Sequence, residues 1–107
     1  MAQALAPDPI RDRIGSELPA LYGPRLKRAV LFGSRARGDA RRDPDFDVAV
    51  FLDPIEDRCA EIDRLADLEY RFMVERDAFV EFLPYADSAY AKHTPILREI
   101  RRDGTEL

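Results

Sequence analysis

Two aspartates one residue apart, Asp45 and Asp47, open an apolar stretch that runs to Leu52. Side chains alternate across an extended strand, so both carboxylates project from one face. Carboxylates that close repel each other, and one is driven toward protonation unless a cation sits between them. Their oxygens suit a hard ion such as Mg²⁺, which keeps part of its coordination for water and phosphate oxygens. Asp-x-Asp alone is also common on solvated strand edges, so its meaning depends on what precedes it. Upstream, the run Arg28 to Phe32 ends in Gly33-Ser34. Gly33 has no Cβ and lets the backbone approach a ligand. Ser34 offers a hydroxyl, and the N–H groups of a following helical turn point at any anion docked there. Arg35 and Arg37 add donors for phosphate oxygens. A Gly-Ser turn, a polar segment over 35–44 and Asp-x-Asp at the next strand form a far more specific pattern than either part. The pattern points to a Mg²⁺–nucleoside-triphosphate site.

The elements that must position these residues follow from periodicity. Ile10, Ile14 and Leu18 predict a helix over about 8–20, broken by Pro19, Gly23 and Pro24. Residues 28–34 read as a buried strand, and Phe46 to Leu52 as a second. Asp53-Pro54 suits an N-cap and first helical position. The helix that follows is expected to bury Ile55, Cys59, Ile62, Leu65, Ala66, Phe72 and Met73 on one face. A third strand begins at Asp77, spans Ala78 to Leu83 and stops at Pro84. Thr94-Pro95 reads as the cap of a last helix with Ile96, Leu97 and Ile100 inward and Gly104 as its stop. Tyr70, Phe72, Phe79 and Phe82 are expected in the core. The result is an α/β domain, a small three-stranded sheet backed by helices, as one unit over 1–107.

The segment Gly33-Ser-Arg-Ala-Arg-Gly-Asp-Ala-Arg-Arg-Asp-Pro-Asp-Phe-Asp-Val-Ala-Val50 closely resembles the signature of the minimal nucleotidyltransferases. These are small relatives of the DNA polymerase β superfamily, and the likeness extends through Thr94-Pro95 and Glu99 to Gly104. The resemblance implies a mixed sheet of the minimal nucleotidyltransferase fold. It implies that Ser34 holds a triphosphate oxygen beside Gly33, and that Asp45 and Asp47 bind Mg²⁺, with two ions expected and ATP as substrate. A third carboxylate on the next strand often completes such a site. Glu81, a lone charge between Val80 and Phe82, is the candidate, and an outward-facing role on a half-exposed strand is its alternative. Asp77 is the fallback. Two positions depart from the pattern: Pro44 replaces the usual serine, and Glu81 is longer than the usual aspartate.

The resemblance also implies a role. Members of this family neutralise a helical HEPN-type ribonuclease toxin, some by moving AMP from ATP onto one of its tyrosines. The alternative is a binding module that neutralises its partner by contact, its nucleotide site weak. The acceptor must come from another molecule, because the core uses the whole chain. A net charge of −4 and a pI near 5.0 argue against a nucleic-acid partner. No apolar run approaches the ~20 residues of a membrane span, and no secretory signal is visible at the start. One cysteine, Cys59, forms no internal disulfide and fits a cytoplasmic location. Cys59 is read as core, and His93 as a surface or capping residue.

Overall fold

The computed structural model describes residues 8–33, 36 and 45–107. Ser34, Arg35, Arg37 and Pro44 lie outside the described residues. Helix α1 spans Pro9–Tyr22, and the Asp8 carboxylate caps it by accepting from Ile10 N at 2.9 Å. Pro19 does not end it, contrary to expectation. Ile14, Leu18 and Tyr22 form its buried stripe. Burial of Tyr22 carries the helix one turn past the hydrogen bond that proline removes.

Strand β1 (Leu26–Phe32) pairs antiparallel with β2 (Asp45–Leu52), which pairs parallel with β3 (Phe79–Ala86). Instead of three strands the sheet has four, in the order β3-β2-β1-β4, with β4 at Thr105–Glu106. Gly104 makes the return to β1 possible: a Cβ there would strike the Ile100 carbonyl and the Val30 side chain. Leu107 N then donates to Ala29 O at 2.9 Å.

Helix α2 spans Arg58–Arg76 and starts later than Asp53-Pro54 predicts. Asp57 is the cap, accepting from Cys59 N at 3.0 Å and Ala60 N at 3.2 Å. Asp53 instead donates its N–H to Arg25 O at 3.0 Å, beside the end of β2. The inward stripe of α2 is Glu61, Leu65, Leu68 and Phe72. Cys59, Ala66 and Ile62, expected inside, are exposed, as are Tyr70 and Met73. Phe79 on β3 and Ile96 are exposed too. Ile55 precedes the helix and is partly buried against the core. Strand β3 continues through Pro84, because β3 is an edge strand and the proline's missing N–H faces away from β2. Helix α3, Pro95–Asp103, is capped as expected: Thr94 Oγ1 accepts from Leu97 N at 3.3 Å.

The alternation of β2 sorts the molecule into two faces. Phe46, Val48, Val50 and Leu52 join Leu31, Val80 and Phe82 in a core covered by α1 and α2. Ala49 and Phe51 join Val30 and Phe32 under Leu97 and Ile100 of α3. A buried charge cluster ties the first face together. The Glu61 carboxylate accepts from Arg25 at 2.5 Å and from Arg64 at 2.6 Å. Burial alone would raise this carboxyl, but the arginine hydrogen bonds outweigh it and hold the pKa below the usual range. The Tyr22 hydroxyl lies beside it without a hydrogen bond of full geometry. Burial first, and the Glu61 carboxylate second, push that phenol up to about 12.

Candidate active site

Asp45 and Asp47 lie on the α3 face of β2, at the end where β1 finishes. Phe32 is the antiparallel partner of Asp47, so Gly33 begins its turn immediately beside that aspartate. Gly33 is buried and has φ +78°, a left-handed conformation that glycine adopts without strain. A Cβ at this position would fall 2.8 Å from Asp47 Oδ2. The backbone conformation therefore favours glycine, and a side chain at 33 would in addition displace the Asp47 carboxylate, which lies against the turn.

Glu81 is the parallel partner of Asp47, and Phe79 that of Asp45. Paired residues on adjacent strands share a face, so the three acids occupy one end of one sheet surface. They do not converge into a three-carboxylate cage: among the described residues no group of three or more potential ligands is arranged to hold a metal ion. Asp45 and Asp47 as a pair still suit Mg²⁺, which takes one or two carboxylates and completes its shell with water and phosphate oxygens. Asp77 is the left-handed cap of α2, φ 51°, and donates its N–H to Met73 O at 3.1 Å. It precedes the strand and is exposed. His93 is exposed beside the α3 cap, as expected.

Glu81 opens instead toward a cavity of about 500 Å³ between α2 and β3, which Asp45 and Glu69 also line. Glu69 had no place in the sequence reading. Its Oε2 accepts from Phe82 N at 2.8 Å, satisfying a backbone donor on the open edge of β3. Burial raises the Glu69 pKa, the Phe82 hydrogen bond opposes this, and the Glu81 charge raises it further. The signal was present as an acid one turn after Leu65, next to the inward position 68. Glu61 shares the helical spacing of 65, 68 and 72, but its charge argues against an inward place unless Arg25 and Arg64 are known to reach it.

The sequence profile described as "Polymerase beta, Nucleotidyltransferase" matches residues 22–105. The chain belongs to this nucleotidyltransferase family. The match begins at Tyr22 and ends at Thr105, so it takes in both aspartates, Glu81 and all of β1, β2 and β3. Among proteins of curated function, none matches the chain in sequence. Solved structures share the fold. A mutant of the toxin–antitoxin pair MntA-HpeT superposes with a TM-score of 0.63 at 19% identity, covering 89% of this chain and 70% of that one. A toxin–antitoxin structure with AMP-PNP gives 0.61 at 21% identity, covering 89% and 70%. The structure of a tri-AMPylated Shewanella oneidensis HEPN toxin in complex with MNT antitoxin gives 0.59 at 20% identity, covering 89% and 66%.

Proposed function

We propose that this chain is an antitoxin that transfers AMP from ATP to a tyrosine of a HEPN ribonuclease toxin and thereby neutralises it. The observation that carries the reading is the Asp47 carboxylate packed against the left-handed Gly33, with Asp45 on the same face. That arrangement supports a reading in which the two acids would hold a metal ion beside the turn where a triphosphate would dock. The family match supports the reaction class. The AMP-PNP and AMPylated-toxin structures of fold neighbours support the nucleotide and the acceptor. An exposed free thiol at Cys59 supports a reducing, cytoplasmic setting.

In this mechanism Asp45 and Asp47 would hold Mg²⁺, and Ser34, Arg35 and Arg37 would bind the triphosphate beside Gly33. Bound Mg²⁺ supplies neutralisation of the charge that develops on the phosphate and leaving-group oxygens. The tyrosine oxygen bonds to the α-phosphorus as the bond from that phosphorus to pyrophosphate breaks. Glu81 receives the phenolic proton, and pyrophosphate departs. Most of the work is positioning and charge neutralisation.

One observation favours a second reading, a binding module that neutralises its partner by contact. Pro44 stands where the family pattern has serine, and Glu81 is longer than its usual aspartate, departures that would weaken the nucleotide site. Intact-mass measurement of a co-expressed HEPN partner, with Mg²⁺ and ATP, separates the two. Added adenylate that vanishes with Asp45→Asn/Asp47→Asn supports transfer. An unmodified partner that still co-purifies with this chain supports the binding module.

A further inference from the structure

The cavity between α2 and β3 has a composition unlike the rest of the surface. Its wall carries Tyr70, Met73 and Phe79, which are 63%, 42% and 48% exposed. Large apolar side chains grouped this way on a small domain mark a contact site more often than chance. Three carboxylates, Asp45, Glu69 and Glu81, line the same cavity. Asp45 belongs at once to this cavity and to the metal pair, so the groove is continuous with the candidate site.

The β3 edge is partly closed to one kind of occupant. An open edge strand invites an added strand through its free N–H and C=O groups. Here Glu69 takes the Phe82 N–H at 2.8 Å, Pro84 has no N–H, and Arg58 Nε donates to Pro84 O at 2.9 Å. The Phe82 N–H and the Pro84 carbonyl are thus occupied and the Pro84 N–H is missing, which disfavours strand addition just beyond the groove. The groove itself presents side chains of α2 and β3.

We propose that this groove seats the acceptor, an aromatic hydroxyl-bearing side chain on a basic segment of a partner protein. The ring lies against Tyr70, Met73 and Phe79, cationic neighbours meet Asp45, Glu69 and Glu81, and the hydroxyl faces the metal pair. Charge complementarity selects the basic segment and rejects an acidic one. The assignment deepens the transfer reading and rests on it for the direction of the hydroxyl. In the transfer, the phenolic oxygen bonds to the α-phosphorus, pyrophosphate leaves, and the proton passes to Glu81.

The test uses the full chain and fluorescein-labelled peptides with a central tyrosine flanked by arginines or, as control, by glutamates. Fluorescence anisotropy reads peptide binding, and thermal melting with Mg²⁺ and ATP reads nucleotide binding. The arginine peptide should bind at least about tenfold more tightly than the glutamate peptide, and Tyr70→Ala/Met73→Ala should weaken it by about tenfold. Both residues are exposed, so the variant should keep its melting temperature and its response to ATP. Phe79→Ala provides an independent loss on β3. Equal binding of the two peptides, no binding to the wild-type chain, or binding unchanged by both variants overturns the groove. Peptide binding without any ATP response leaves the groove standing and removes the transfer reading; an ATP response without peptide binding does the reverse.

Discussion

The two faces of the central strand β2 differ at the end where the strand begins. The residues that look toward α1 and α2, from Phe46 through Val48 and Val50 to Leu52, are all apolar and buried. Those that look toward α3 change character part-way. Ala49 and Phe51 are buried under Leu97 and Ile100, whereas Asp47 is half-buried and Asp45 exposed. One face is therefore given over to stability from end to end. The other is apolar at the α3 end and acidic at the Gly33 end, where the proposed chemistry lies. The strand does both because period-2 alternation lets neighbouring residues answer to different demands.

The largest expected effect sharpens the stable face. Leu65 on α2 is 1% exposed and sits in the core against β2. Leu65→Ala should lower stability by about 2–4 kcal/mol through lost burial and a residual cavity. Chemical denaturation with an unchanged m-value would register it. A loss below about 1 kcal/mol would mean that the α2 face packs more loosely than its burial implies.

A smaller effect tests the charge cluster beneath the same face. Glu61→Gln leaves Arg25 and Arg64 facing an uncharged amide and should cost about 1–3 kcal/mol at pH 7, the exposure of both arginines reducing the buried-pair figure. The folded carboxyl is held below its usual value of 4.5. Its contribution is therefore complete above the unfolded pKa and is lost as pH falls through the depressed folded value. The wild-type advantage over Glu61→Gln should be constant at neutral pH and shrink below about pH 4.5. A difference that grew in acid would reverse the assigned sign.

Much of this division was legible in the residues, and the misses have physical causes. The apolar run from Phe46 to Leu52 located β2, and the alternation of side chains along a strand put Asp45 and Asp47 on one face. Gly33 stands out in the sequence for close approach to a ligand, and in the structure a Cβ there would meet the Asp47 carboxylate. The start of α2 was misplaced because Asp53-Pro54 and Asp57 both offer cap chemistry, and only tertiary contact with Arg25 decides between them. The inward stripe of α2 was misjudged for a related reason. Ile62, Tyr70 and Met73 follow helical spacing as well as Glu61, Leu65, Leu68 and Phe72 do, and hydrophobicity favoured the wrong set. An acid at 61 is acceptable inside only because Arg25 and Arg64 reach it, which no local pattern reveals. Strand β4 is two residues long and depends on the turn at Gly104, too short for any periodicity. Ser34, Arg35 and Arg37 lie outside the described residues, and their roles belong to the proposal.

The smallest expected change in stability is the most informative about function. Asp47 and Val48 are adjacent in β2, yet Val48 is fully buried while Asp47 sits at the acidic end of the other face. Asp47→Asn keeps the volume and shape of the side chain that fills the space at Gly33, so packing is preserved. It also removes one charge from an acid-rich end shared with Asp45 and Glu81, which relieves repulsion. The net change in stability without ligand should stay within about 1 kcal/mol. The response to ligand should be lost. Binding that favours the folded state stabilises by RT ln(1 + [L]/Kd), about 2.7 kcal/mol at a hundredfold excess over Kd. Millimolar ATP with Mg²⁺ should therefore raise the melting temperature of the wild-type chain and leave Asp47→Asn unmoved. Equal shifts in both proteins would place the nucleotide away from Asp47, and the contrast between the two faces of β2 would then be one of packing alone.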